Sequence, residues 1–96
     1  MKTCTSFKDR FLGLMFQKNI TDEYFFPNCQ SVHTFFMKVN IDIICIDKLG
    51  NIIKIYRNTP PYKIILTPKN TYGILETPAN SPYQEQDIIN YKKIEN

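Results

Sequence analysis

The sequence holds no tryptophan, a single histidine, three glycines and three cysteines in 96 residues. The cysteines, Cys4, Cys29 and Cys45, form no C-x-x-C pair and keep no zinc-finger spacing, so no metal site is expected. An odd number cannot all pair within one chain, and a reduced, cytoplasmic protein is expected, with Cys45 a buried structural thiol. No cofactor motif is present, and no cofactor is expected. Like charges never gather into a block, Lys92-Lys93 being the one adjacent basic pair of the tail, so a nucleic-acid or membrane patch is not expected. No apolar stretch approaches a membrane-spanning length, and Lys8, Asp9 and Arg10 interrupt any secretory h-region.

What remains is ordinary globular material: 43% hydrophobic, 14% aromatic and 22% charged residues, with a net charge of +3. A chain this short makes one domain, 1–96, burying roughly 60–65% of its unfolded surface. Its centre is the run Ile41-Asp42-Ile43-Ile44-Cys45-Ile46-Asp47. The run is β-branched and apolar on both alternating faces, which predicts a strand buried on two sides. Asp47-Lys48-Leu49-Gly50 follows with Asp first and Gly fourth, the pattern of a type I turn with a left-handed residue. Residues 52–57 are then the return strand.

Before this core, residues 1–6 suit an extended edge strand. Phe7, Phe11, Leu14 and Met15 fall on helical spacing, which predicts a short helix of two to three turns over about 7–16. Tyr24-Phe25-Phe26 reads as a strand ended by Pro27. From His33 to Val39 the chain alternates, with His33, Phe35, Met37 and Val39 on one side. After the core, Pro60-Pro61 must leave the sheet, because their rings fix φ and they donate no amide proton. Strands are predicted over 63–67, 72–77 and 87–92, with an irregular crossover from Pro78 to Gln86. The fold class is therefore α+β, mostly β, with one short N-terminal helix.

Several of these pieces resemble a known family. Arg10-Phe11-Leu12-Gly13-Leu14-Met15 is similar to an R-x-x-G-L-M motif, followed by Ser31-Val32-His33-Thr34-Phe35-Phe36-Met37. Ile41-Asp42, Asp47 and Gly50 fit I-D-x-x-x-x-D-x-x-G, and Pro61 and Leu75-Glu76-x-Pro78-Ala79 follow, the last like L-E-L-P-A-G. In order and spacing the chain resembles domain-of-unknown-function family 192 over nearly its whole length. Two positions depart from that pattern: Asn80 and Gln86 stand where the family usually has glycine. The resemblance implies a compact, antiparallel, barrel-like sheet with a short N-terminal helix, and a contextual link to pilus assembly or secretion. It implies no activity.

Candidate chemistry gathers around His33. Cys29 and His33 could act as nucleophile and base, although the stretch reads as loop into strand and shows no orienting third group. If their strands are neighbours, Asp42 could fix the His33 imidazole at the rim of an apolar interior lined by Met37. Asp42 can equally be structural, accepting backbone N–H groups where the chain enters the core strand. Arg10 is expected to project from the predicted helix toward a carboxylate such as Glu76 or Asp42, where it can equally form a purely structural helix-to-sheet salt bridge. The leading expectation is a non-enzymatic binding or accessory module that receives a protein or peptide. It requires an apolar concavity or an unpaired strand edge near His33, Met37 and Asp42. The alternative is a small hydrolase or transferase using His33 with Cys29 or Asp42.

Overall fold

A computed structural model describes residues 2–3, 23–29, 31–34 and 37–90, the side chains of residues 2, 3, 32 and 33 excepted. The helix expected over 7–16, with Arg10, lies outside these residues. Among the described residues seven strands follow in order: β1 (Lys2–Thr3), β2 (Tyr24–Phe26), β3 (Ser31–His33), β4 (Ile41–Ile46), β5 (Ile52–Thr59), β6 (Ile64–Leu66) and β7 (Gly73–Pro78). Five of them form one sheet in the order β1-β2-β7-β4-β5, antiparallel except between β1 and β2. β3 and β6 form a separate antiparallel pair. The large sheet is open, with β1 at one edge and β5 at the other, and does not close into the barrel that the family resemblance implies.

The central strand is β4, as its composition dictates. All six of its residues are buried, and β7 beside it is buried from Gly73 to Thr77. Alternation divides the core between two faces. On one, Tyr24, Phe26, Met37, Ile41, Ile43 and Ile74 pack together, with Cys29, Val39, Tyr56 and Ile65 against them. On the other, Phe25, Ile44, Ile46, Ile52 and Leu75 pack with Ile55, Tyr72, Tyr83 and Ile89. Ile65 brings the small β3–β6 sheet onto the first face, while Tyr83 and Ile89 bring the segment after β7 onto the second. Each fully buried Ile, Leu or Phe contributes about 1.5–3 kcal/mol, and burial on both faces is why β4 is apolar throughout but for Asp42, while β7 buries Glu76 and Thr77 among its apolar residues.

The turn after β4 has the expected form. Gly50 N–H donates to the Asp47 carbonyl at 3.0 Å, and Gly50 is left-handed at φ 91°. A side chain there is doubly excluded, because a Cβ would stand 2.2 Å from the Ile89 carbonyl oxygen. The strand expected over 87–92 is not formed in its described part, where a single bridge joins Asn51 to Ile88. Amides in and just before this stretch close the β4–β5 hairpin instead: Gln86 N–H donates to Ile52 O, and Ile89 N–H to Gly50 O.

Candidate functional site

Asp42 sits at the start of β4 with no exposed surface, and four donors converge on it. Its Oδ1 accepts the Asn58 N–H at 2.8 Å, while Oδ2 accepts the Ser81 N–H and hydroxyl, each at 2.9 Å, and Arg57 Nη1 at 3.2 Å. Arg57 continues outward to the carbonyls of Ser81 and Tyr83, and the Tyr83 hydroxyl donates to Glu23 at 2.7 Å. Burial raises the Asp42 pKa, but the Asn58 and Ser81 hydrogen bonds and the Arg57 charge outweigh it and hold the carboxyl below its ordinary value. A carboxylate with its oxygens so occupied is a structural clasp. The sequence reading had this backbone-accepting role among its alternatives, but it missed Arg57 and Ser81, which lie 15 and 39 positions away with no local signal.

The residues expected to share a rim are divided by the sheet. Met37 packs with Ile41 and Ile43, whereas Asp42 alternates with them and pairs with Thr77 on the opposite face. His33 belongs to β3, whose partner is β6, and Asp42 belongs to β4, whose partners are β5 and β7. Cys29 reaches the Met37 face, half-buried, with its thiol directed to the Ser31 carbonyl at 3.1 Å.

Glu76 lies on that same face, in register between Tyr24 of β2 and Ile43 of β4. It is 5% exposed, and no hydrogen bond or ion pair to it is found among the described residues. Burial alone pushes its pKa up to about 8, so the carboxyl is mostly protonated at neutral pH. Cys45, on the adjacent β4 two residues beyond the Ile43 that pairs with Glu76, is likewise raised to about 11 by burial, which the neighbouring Thr71 hydroxyl only partly offsets. Thr71 Oγ1 nevertheless makes no hydrogen bond of normal geometry among the described residues. No group of three or more His, Cys, Asp or Glu among the described residues could hold a metal ion.

The β3–β6 pair presents a different surface. His33 stands opposite Ile64, and Val32 opposite Ile65. Thr34 N–H donates to Lys63 O, which turns the Lys63 and Ile65 backbone groups toward β3. By alternation the N–H and C=O of Ile64 and Leu66 point away from it. Ile65 packs on the core, while the side chains of Ile64 and Leu66 are 64% and 76% exposed. Among the described residues β6 has no second strand partner.

An open, largely antiparallel sheet buried on both faces, with a second small sheet laid on one of them, defines the class: a small mostly-β protein with no helix among its described residues. The chain belongs to domain-of-unknown-function family 192, DUF192, described as Uncharacterized ACR, whose model matches residues 1–88. A crystal structure of a protein of unknown function from Novosphingobium aromaticivorans is similar at a TM-score of 0.71 and 20% identity, covering 81% of this chain. This chain spans 61% of that protein's length. A second crystal structure, of a protein described as a candidate transcription regulator from Sinorhizobium meliloti, is similar at a TM-score of 0.79 and 18% identity. It covers 90% of this chain, which spans 76% of it. At these identities the likeness is one of fold. Among curated proteins, none matches in sequence.

Proposed function

We propose that this protein is a non-enzymatic binding module that receives an extended segment of another protein as an added strand along β6. One observation carries the reading. At Ile64 and Leu66 outward backbone groups coincide with exposed apolar side chains, so the edge offers both a hydrogen-bonding template and alternate apolar contacts. Of the three residues near which the sequence analysis expected such an edge, His33, Met37 and Asp42, only His33 lies in the strand that pairs with β6. Three residues of edge, about 10 Å long, are too few to hold two folded copies together, whereas a flexible segment can pair there and continue over the surface. The accessory role beside pilus assembly or secretion, the cytoplasmic setting and the α+β description with a helix over 7–16 belong to the same reading. They are supported by the family resemblance, by Cys29 and Cys45 being free thiols, and by the helical spacing of Phe7, Phe11 and Leu14.

The hydrolase or transferase alternative has less support, because Asp42 is occupied by four donors on the face away from Met37 and Cys29. The test is an unbiased peptide-display selection against the full chain, with binders mapped by amide chemical shifts. Selected peptides should alternate apolar residues and slow amide exchange at Ile64 and Leu66. Leu66→Pro, which removes an outward amide and no β3 bond, should abolish binding. Binders that map elsewhere, or that tolerate Leu66→Pro, would defeat the proposal.

A further inference from the structure

β6 is fixed at its start and stopped at its end. The buried Thr34, one residue past β3, holds the backbone that leads into it. Its hydroxyl donates to Pro60 O at 2.7 Å and accepts the Lys63 N–H at 2.8 Å. Its own N–H donates to Lys63 O at 2.8 Å, and its carbonyl accepts the Tyr62 N–H at 3.1 Å. Since Lys63 and Ile65 turn their backbone groups toward β3, the positions that turn theirs away are 62, 64, 66 and 68. The Tyr62 N–H is engaged by Thr34, whereas Pro68 has no N–H and its carbonyl accepts the Thr71 N–H at 3.0 Å. The N–H and C=O groups of Ile64 and Leu66 lie between these two stops.

β5, the longer open edge, is guarded in ways that β6 is not. Its first residue is covered, Ile52 N–H donating to Asp87 O and Ile52 O accepting the Gln86 N–H. Its pairing with β4 shifts register twice, between Ile41 and Ile43 and between Cys45 and Ile46, and Lys54 and Arg57 stand exposed on it. Bulges and charges keep an edge from pairing with another chain. The β3–β6 ladder has neither a register shift nor a charge within Ile64–Leu66.

We infer that β6 takes its guest antiparallel, as a three-residue apolar-x-apolar motif whose first residue pairs with Leu66 and whose third pairs with Ile64. This rests on strand addition at β6 and specifies what that edge selects. In antiparallel pairing, a residue opposite Ile64 and another opposite Leu66 each exchange both backbone hydrogen bonds with the edge, so three guest residues engage all four groups. A parallel guest makes slanted bonds and needs five residues, from beside Lys63 to beside Thr67, to reach the same groups. The outer residues of the motif fall on the face of Ile64 and Leu66 and cover those exposed side chains, a cross-strand contact that favours β-branched or aromatic partners. Its middle residue falls on the Ile65 side. Further guest residues meet Pro68 at one end and the backbone held by Thr34 at the other, and gain no ladder there.

Amide-detected NMR of the full chain with capped synthetic peptides tests this. The probe is serine-valine-threonine-valine-serine, carrying a nitroxide at its N-terminus or, in a second preparation, at its C-terminus. With the N-terminal label, paramagnetic broadening should be stronger at Leu66 and Thr67 than at Lys63 and Ile64, and the C-terminal label should invert that order. Extending the peptide by two alternating residues at each end should tighten binding by no more than about threefold. N-methylation of both valines should abolish binding, while N-methylation of the threonine should leave it within about threefold. Broadening in the reverse order, a larger gain from the longer peptide, or binding lost on methylating the threonine would overturn the inference and leave strand addition standing. Absence of any shift at Ile64 and Leu66 with all of these peptides would defeat both.

Discussion

Asp42 and Ser81 are thirty-nine positions apart and joined twice, through the serine amide and the serine hydroxyl, both to Oδ2 at 2.9 Å. These two hydrogen bonds tie the segment after β7 to the start of β4. Asp42→Ala should cost about 3 kcal/mol, since it leaves the Asn58 and Ser81 amides without an acceptor. Asp42→Asn should be nearly as costly, because its amide group presents hydrogens to donors. Arg57→Ala, at a 40% exposed partner, should cost about 1 kcal/mol or less. Urea unfolding of the three variants decides the order, and an Arg57 cost exceeding that of Asp42 would contradict the clasp.

Glu76 sets an opposite pH dependence. Its folded pKa, about 8, lies above the ordinary 4.5, so the unfolded chain releases this proton first as pH rises. The contribution is therefore full below pH 4.5 and is lost progressively up to about pH 8, at about 1.4 kcal/mol per unit. Asp42 is depressed, so its contribution is present above the ordinary 3.8 and is lost as pH falls through the folded value. Stability should peak near pH 4–5. Thermal melts from pH 4 to pH 9 should show the decline, and Glu76→Gln should flatten it. A variant that follows the same slope as the natural chain would show that another group is responsible.

Asn80 and Gln86 both occupy left-handed backbone, at φ 67° and 74°. Asparagine tolerates this region, whereas glutamine pays about 1 kcal/mol against glycine. Gln86→Gly should therefore stabilise the protein by about 0.5–1 kcal/mol, and Asn80→Gly by a few tenths at most. Chemical denaturation midpoints give both values. A destabilised Gln86→Gly would mean that the glutamine side chain holds the loop in some other way.

Much of this architecture is legible locally. The β-branched run of β4 and the Asp47–Gly50 turn announce themselves, because burial on two faces and a left-handed glycine each demand particular residue types. Asn80 could be recognised as a residue able to stand in for glycine. Strand partnership could not. Whether His33 neighbours Asp42 depends on pairings between distant segments, and the alternation that was read correctly within β4 is what sends Met37 and Asp42 to opposite faces. Ile88 and Ile89 look like strand residues, but the amides around them serve the hairpin, which no nearby residue signals. Glu76 came into view only through the family resemblance, since an isolated glutamate in an apolar strand carries no other mark.

Cys45 has no exposed surface, and its thiol, raised by burial to about 11, is a poor nucleophile. Alkylation at pH 8 should modify Cys29 well before Cys45, and the Cys45 rate should rise with urea in step with global unfolding. Mass-mapped labelling measures this. Rapid Cys45 modification in the native protein would reveal local opening between β4 and its neighbours.

The segment after β7 meets the β4–β5 hairpin at both ends, with Ser81 at Asp42 and Ile89 at Gly50. This has a consequence for how the chain is made. Synthesis delivers β4 and β5 first, with Asn58 and Arg57, yet the two Ser81 donors to Asp42 and the Ile89 amide that closes on Gly50 arrive only with residues 81–89. A nascent chain cut short before that point holds an unfinished hairpin with one apolar face lacking Tyr83 and Ile89. Folding must therefore complete late and over long sequence separations, and a ribosome stalled short of residue 89 would display a chain fit for chaperone capture.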